Sequence, residues 1–255
     1  MDKIGVTFET KCYENDWQFL LKAGRLKKMI DWLDYKFDHK VLYINNVNNL
    51  DLVKKHADKC ISRNIIDSYV VVADYAQQAL KAYNVNPESF KGGYYYSIQE
   101  LTGILLCKTK YLLHLSGDTL MRVRKPWITH AIERMETNDR FFVANPGWDY
   151  HTLHDGRNHE GSDDQFWHQR GGFSDQCYLI KVDNYRHDIY NEPEIDNSIA
   201  YPVYGGELFE KRMNSYLKNH NLIRLTSKHA AYRHRNYPKY AFKRWLWINT
   251  AIKIE

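Results

Sequence analysis

Four short apolar runs, separated by stretches of helical periodicity, leave this chain few folds to choose from. Ile4–Phe8, Val41–Ile44, Tyr69–Val72 and Tyr111–Leu115 have the length and the aliphatic or β-branched content of buried strands. From Trp17 onward, Leu20, Leu21, Leu26, Met29, Ile30 and Leu33 recur at near-helical spacing. Asp51–Arg63 then sets Leu52, Val53, His56, Ala57 and Cys60 on one side of a second helix. Asp74–Tyr83 reads as a third helix, and Ser97 is placed to cap a fourth that runs to about Lys108. Such alternation predicts an α/β protein with a doubly wound, mostly parallel central sheet.

The fourth run carries the chemistry. Tyr111-Leu-Leu-His-Leu115 stops abruptly at Ser116, Gly117 and Asp118. Ligands of open α/β sheets bind just beyond the carboxyl ends of the strands, so Asp118 is delivered to a place where a metal-bound phosphate could sit. The same three residues are also ordinary turn formers. Beyond them the pattern changes. Trp127–Asn138 reads as a helix and Phe141–Ala144 as a strand, followed by a long irregular stretch, Pro146–Phe173, rich in Gly, His, Asp and aromatic residues. Long loops in compact domains are functional or disordered, and Trp148, Tyr150, Phe166 and Trp167 argue against disorder. Cys177–Val182 is a further strand, Glu207–Asn219 a helix, Leu222–Leu225 and Ala230–Tyr232 two short strands. A terminal helix begins at Pro238.

Charge separates the end of the chain from its body. The formal net charge is +5, yet Arg224–Glu255 holds eight Lys or Arg against one acid, while the remainder holds 28 basic and 30 acidic residues. A basic tail on a slightly acidic body suits an anionic partner such as a membrane surface or a phosphorylated substrate. With the basic charge confined to the tail and no nucleic-acid-binding module in view, no nucleic-acid partner is expected. Cys12, Cys60, Cys107 and Cys177 are scattered without metal spacing, which predicts reduced, buried thiols. No apolar stretch reaches the length needed to span a bilayer, and the N-terminus has no signal-peptide pattern, so a cytoplasmic protein is expected, with peripheral membrane contact through the tail as a further expectation.

The order of these features resembles a glycosyltransferase of the GT-A fold, nucleotide-sugar-dependent and family-2-like. The resemblance is carried by the first strand Ile4–Phe8, the strand-loop Tyr111–Asp118, Trp127-Ile-Thr-His-Ala-Ile-Glu133, Phe141-Phe-Val-Ala-Asn-Pro-Gly-Trp148 and Ala231-Tyr-Arg-His234. It spans residues 4–234 and implies a glycosyltransferase domain over 1–236. Residues 1–118 would be its nucleotide-sugar half and 119–236 its acceptor half, with 237–255 a basic amphipathic helix. In that family the loop is usually Asp-x-Asp; here Ser116 replaces the first acid. The resemblance implies that Asp118, beside Ser116, anchors Mn2+ or Mg2+ on the diphosphate of a nucleoside diphosphate-sugar donor, with His234 as a further ligand and His229 the alternative. The ends of the first strands would contact the nucleotide, Thr10 and Asp74 being the candidates, although both are also natural turn and cap residues. An inverting enzyme needs a base for the acceptor hydroxyl. Asp175 in Gly-Gly-Phe-Ser-Asp175 is the candidate and Glu207, after two glycines, its rival; Glu207 is equally a favourable first-turn acid. The acceptor would be a glycan or a lipid-linked sugar. Two other readings stand beside this one. One is a non-catalytic sugar-nucleotide or glycan-binding protein; the other is a metal-dependent hydrolase built on His151, His154, Asp155, His159 and His168.

Overall fold

The computed structural model describes residues 5–149, 159–193, 208–234 and 237–249. Among these, ten strands form one sheet, ordered β3-β2-β1-β4-β9-β6-β10-β8-β7, with β5 paired to β10. Its first half is parallel: β1 (Val6–Cys12), β2 (His39–Ile44), β3 (Ser68–Val71) and β4 (Tyr111–Leu115) all run the same way. β9 (Cys177–Lys181) enters antiparallel between β4 and β6 (Phe141–Trp148), and β10 (Ile223–His234) returns parallel to β6. β5 (Thr119–Met121), β7 (His159–Ser162) and β8 (Phe166–Arg170) complete the sheet.

Side-chain alternation along the strands feeds two cores. Phe8, Leu42, Ile44, Leu113 and Leu115 face one side, under α2 (Arg25–Trp32), α3 (Leu50–Ser62) and α6 (Trp127–Met135). Tyr43, Leu112, Tyr178 and Ile180 face the other, under α4 (Ala76–Ala82), α5 (Tyr94–Leu106) and α7 (Phe209–Asn219). The result is the doubly wound, mostly parallel α/β architecture expected, with a C-terminal helix α8 (Ala241–Asn249).

Local chemistry moved several boundaries. The helix expected from Trp17 is broken into α1 (Trp17–Leu21) and α2, because Gly24 at φ 71° turns the chain between them. Asn49 caps α3 by accepting from the Leu52 amide at 3.0 Å. Ser97 is no cap: it lies inside α5 and its hydroxyl accepts from the Phe209 amide at 2.9 Å, serving the start of α7 instead. The two short strands expected after Leu222 are one strand, β10, whose pairing with β6 slips between Thr226 and Ala231. Part of the stretch expected to be irregular is the β7–β8 hairpin. Ile4 lies outside the described residues, and β1 continues past Phe8 to Cys12.

Candidate active site

A cleft of about 1010 Å³ opens along the carboxyl ends of β1, β2, β4, β6 and β10. The strand ends set its floor. β1 hands over to Tyr13–Asp16, β2 to Asn45 and Asn46, and β4 to Ser116 and Asp118.

Asp118 meets His234 here. β5 pairs antiparallel with the end of β10, so that His234 stands opposite Thr119, and the imidazole Nε2 lies 2.8 Å from Asp118 Oδ2. The Ser116 hydroxyl donates to the other carboxylate oxygen at 3.1 Å. Burial pushes the Asp118 carboxyl up, but the hydrogen bond and charge of His234, helped by Ser116, bring it below the ordinary range. The bond from Asp118 raises His234 in turn, outweighing burial. Gly117 lets this loop lie against the sheet: a Cβ there would sit 2.8 Å from Leu20 Cδ1 and 3.0 Å from the Lys11 carbonyl oxygen. From the other side, the Tyr237 hydroxyl donates to the Gly117 carbonyl at 2.6 Å, while its ring stacks on Phe19 at 4.1 Å. One carboxylate and one imidazole facing a cleft, with a hydroxyl beside them, is a donor set that suits a divalent cation completing its shell with substrate phosphates. Among the described residues no group of three or more His, Cys, Asp or Glu could hold a metal without such help.

The second pole comes from β9. Because β9 runs antiparallel to β4, it starts where β4 ends: Leu115 pairs with Cys177 and the Ser116 amide donates to the Gln176 carbonyl at 2.8 Å. Asp175 is thereby placed in the cleft. Its backbone amide donates to Glu210 Oε2 at 3.4 Å, and the Gln176 side-chain amide donates to its carboxylate at 3.0 Å. Glu210, in the first turn of α7, is pushed up to about 9 by burial and then by the charge of Asp175. It therefore holds a proton at neutral pH.

Lys11 reaches the same cleft from β1, its ammonium 2.5 Å from Glu100 Oε1. Desolvation works against its charge, but Glu100 and then Asp175 outweigh it and raise Lys11 above its ordinary value. Behind it lies a fully buried polar layer. Gln99 donates to Glu9 at 3.2 Å, and His114 Nδ1 lies 3.1 Å from the same oxygen. Gly103 makes room for that layer, since a Cβ would fall 2.2 Å from Glu9 Oε2.

The remaining expected site residues fall elsewhere. Thr10 is buried within β1 and gives its hydroxyl to the Leu115 carbonyl at 2.7 Å, so it ties two strands together and does not line the cleft. Asp74 is exposed in the turn Val72–Asp74 before α4 and does not line it either. His229 is exposed, with its Nε2 2.9 Å from the Asp164 carbonyl, away from Asp118. His168 lies on β8 against Asp163 at 3.1 Å, and His159 packs edge-on to Trp167. Glu207, His151, His154 and Asp155 lie outside the described residues. Glu210 and Lys11 line the cleft without a local signal in the sequence: the first reads as one more polar position of an amphipathic helix, the second as a polar residue past a strand.

No protein-family model matches the chain, and no curated protein matches it in sequence. Solved structures match in fold. GalNAc-T7, solved with UDP, GalNAc and Mn2+, matches over 91% of this chain with a TM-score of 0.52 and 10% identity; the match spans 44% of that longer chain. Glucosyl-3-phosphoglycerate synthase from Mycobacterium tuberculosis, solved with Mn2+, UDP and glucosyl-3-phosphoglycerate, matches over 98% of this chain and 78% of its own, with a TM-score of 0.49 and 10% identity. The fold is that of the GT-A glycosyltransferases.

Proposed function

We propose that this protein is a glycosyltransferase that moves a sugar from a nucleoside diphosphate-sugar to a glycan or lipid-linked acceptor. The observation that carries the reading is the Asp118–His234 pair at the carboxyl edge of the sheet, inside a cleft large enough for a donor and part of an acceptor. Mn2+ or Mg2+ held by Asp118 and His234 would supply charge neutralisation for the departing diphosphate. Exposed Tyr13, Tyr95, Tyr96 and Trp148 offer ring faces on which a base or a sugar can stack. Asp175 is the base that takes the acceptor hydroxyl proton, with Glu210 a neutral hydrogen-bonding neighbour. Thermal-shift and transfer assays with a panel of nucleotide-sugars, with and without Mn2+, test the whole reading. A metal-dependent rise in melting temperature and product formation are expected; absence of both with every donor sinks it.

Ser116, standing where the family has its first acid, favours one second reading, a sugar-nucleotide-binding protein without turnover. Binding without product in the same assays would select it.

Peripheral membrane contact through α8 is part of the proposal. Trp247 and Arg244 dock on α1 through the Phe19 ring, while Tyr240, Phe242 and Trp245 are exposed beside Lys239 and Lys243. Among the described residues no helix is long and apolar enough to cross a membrane. Sedimentation with anionic vesicles at low salt should retain the full chain and release one ending at Tyr237; equal behaviour of the two defeats the contact.

A further inference from the structure

On the face of the molecule under α1, α2 and α3 lies a separate pocket of about 250 Å³. Its apolar floor is made by Leu20, Leu21, Leu26 and Ile65, and its rim by Lys22, Lys27, Lys59 and Arg63. Among the described residues no Asp or Glu lines it. His56, Lys59, Cys60 and Arg63 share one face of α3 and its C-terminal cap, at the spacing that brings side chains together on a helix. Lys22 comes from the end of α1, its ammonium 5.0 Å above the Trp17 ring. Lys27 is satisfied by Asp31 at 2.5 Å. The charged heads of Lys22, Lys59 and Arg63 have no ion-pair partner among the described residues.

Three such cations around one small pocket repel one another, and an anion bound between them offsets that repulsion. A helix end explains each cation singly, Lys22 at the C-terminal cap of α1 and Lys59 and Arg63 at the end of α3, but not the meeting of the two ends at one pocket. His56, which also lines the pocket, reports the crowding: burial first, then Lys22, Lys59 and Lys55, lowers it from its ordinary value. The volume is smaller than that of a drug-sized site, which limits the occupant to a compact group.

We propose that this pocket is a binding site for a phosphate group, carried by a small phosphorylated molecule or a lipid headgroup, with Lys22, Lys59 and Arg63 as its cations. The apolar floor admits a short hydrocarbon stub attached to that phosphate. Guanidinium and ammonium groups at one rim are suited to share its oxygens, Arg63 with two parallel donors and the lysines as point charges. The site is independent of the cleft, which opens at the carboxyl edge of the sheet.

The test uses the full chain and the double variant Lys59→Ala/Arg63→Ala, both positions being exposed and, among the described residues, without a bond through their charged heads. Inorganic phosphate is titrated calorimetrically, and vesicles of phosphatidylcholine with and without phosphatidic acid are sedimented with each protein. The expected result is binding of at least one probe by the wild type and on the order of 30-fold weaker binding by the double variant. Loss confined to the free ion marks a soluble ligand; loss confined to phosphatidic acid vesicles marks a headgroup. Asp118→Asn should leave this binding unchanged. Failure of the wild type to bind either probe, or equal affinity in the double variant, overturns the proposal.

Discussion

At the carboxyl edge of β4 an aspartate faces an imidazole; at the start of β9 an aspartate faces a second carboxyl. The two poles share one cleft, yet the proton affinities of Asp118 at the first and Glu210 at the second move in opposite directions. Asp118 is drawn below the ordinary carboxylate range by His234 and Ser116 despite its burial. Glu210 is driven up by burial and by Asp175. Opposite neighbours thus make one pole a holder of charge and the other a holder of a proton. In the proposed transferase the first pole would serve a diphosphate and its cation, and at the second Asp175 would take the acceptor hydroxyl proton with the neutral Glu210 as its hydrogen-bonding neighbour. Gln176 joins the two, accepting from the Thr119 hydroxyl at 3.0 Å and donating to Asp175 at 3.0 Å.

The most damaging way to break this contrast is to discharge the first pole. Asp118→Asn should keep the fold, by circular dichroism, and reduce transfer by on the order of 10³ through loss of donor binding. A folded variant with normal turnover would end the donor-pole assignment. Asp175→Asn should cost on the order of 10² in turnover while leaving donor affinity near that of the wild type. Should donor affinity fall instead and turnover at saturation persist, Asp175 is no base, and the contrast between the poles loses its meaning.

How far this contrast was legible in the sequence differs between its halves. Asp118 could be read because a buried strand ending in Ser-Gly-Asp sits at the ligand edge of any such sheet, and the parallel half of the fold follows from the strand-helix alternation alone. Thr10, expected at a strand end, lies within β1 and off the cleft. Glu9, Thr10 and Lys11 read as residues that follow the strand Ile4–Phe8, but they lie inside β1, because Glu9 finds Gln99 and His114, Thr10 finds the Leu115 carbonyl, and Lys11 finds Glu100. Those partners lie 89 to 105 residues away along the chain, beyond what local pattern can supply. Glu210 was invisible because an acid in the first turn of a helix is ordinary. Only the antiparallel entry of β9 beside β4 brings Asp175 to it.

Steric substitution at the first pole sharpens the comparison with a smaller effect. Gly117→Ala sets a methyl against Leu20 and the Lys11 backbone, and overpacking of that kind costs about 1–3 kcal/mol. The melting temperature should fall and donor affinity weaken, while Asp175-dependent turnover at saturating donor stays close to normal. A variant that binds donor normally would show that the loop does not need this close approach.

The proton at the second pole can be read from stability. Glu210 has a folded value of about 9 against an ordinary 4.5, so its contribution to stability is full below about 4.5 and declines as pH rises, until it is lost above about 9. Glu210→Gln cannot ionise. The variant should lose less stability than the wild type between pH 5 and pH 9, as read from melting temperatures at about those two values. Glu9 and Glu100 are also raised, by burial above all, so both proteins retain a decline and only its difference reports on Glu210. An identical decline in both would remove the like-charge account of this pole.

The smallest effect concerns what fastens the first pole from outside. Tyr237 follows β10 and reaches back to the Ser116–Asp118 loop, with its hydroxyl on the Gly117 carbonyl and its ring on Phe19, while the Arg25 guanidinium donates to the same carbonyl at 3.2 Å. Tyr237→Phe keeps the stacked ring and removes one hydrogen bond. Because Arg25 still serves the Gly117 carbonyl, the loss should be about 1 kcal/mol, or about 2–4 °C in melting temperature. Tyr237→Ala, which also removes the ring from Phe19, should lose more. In both variants any kinetic change should fall on donor affinity, since Tyr237 touches the loop of Asp118 and the residues around Asp175 are fastened by Gln176, Ser174 and Tyr232 instead. A Tyr237→Phe protein that bound donor normally but turned over slowly would place the tyrosine at the wrong pole.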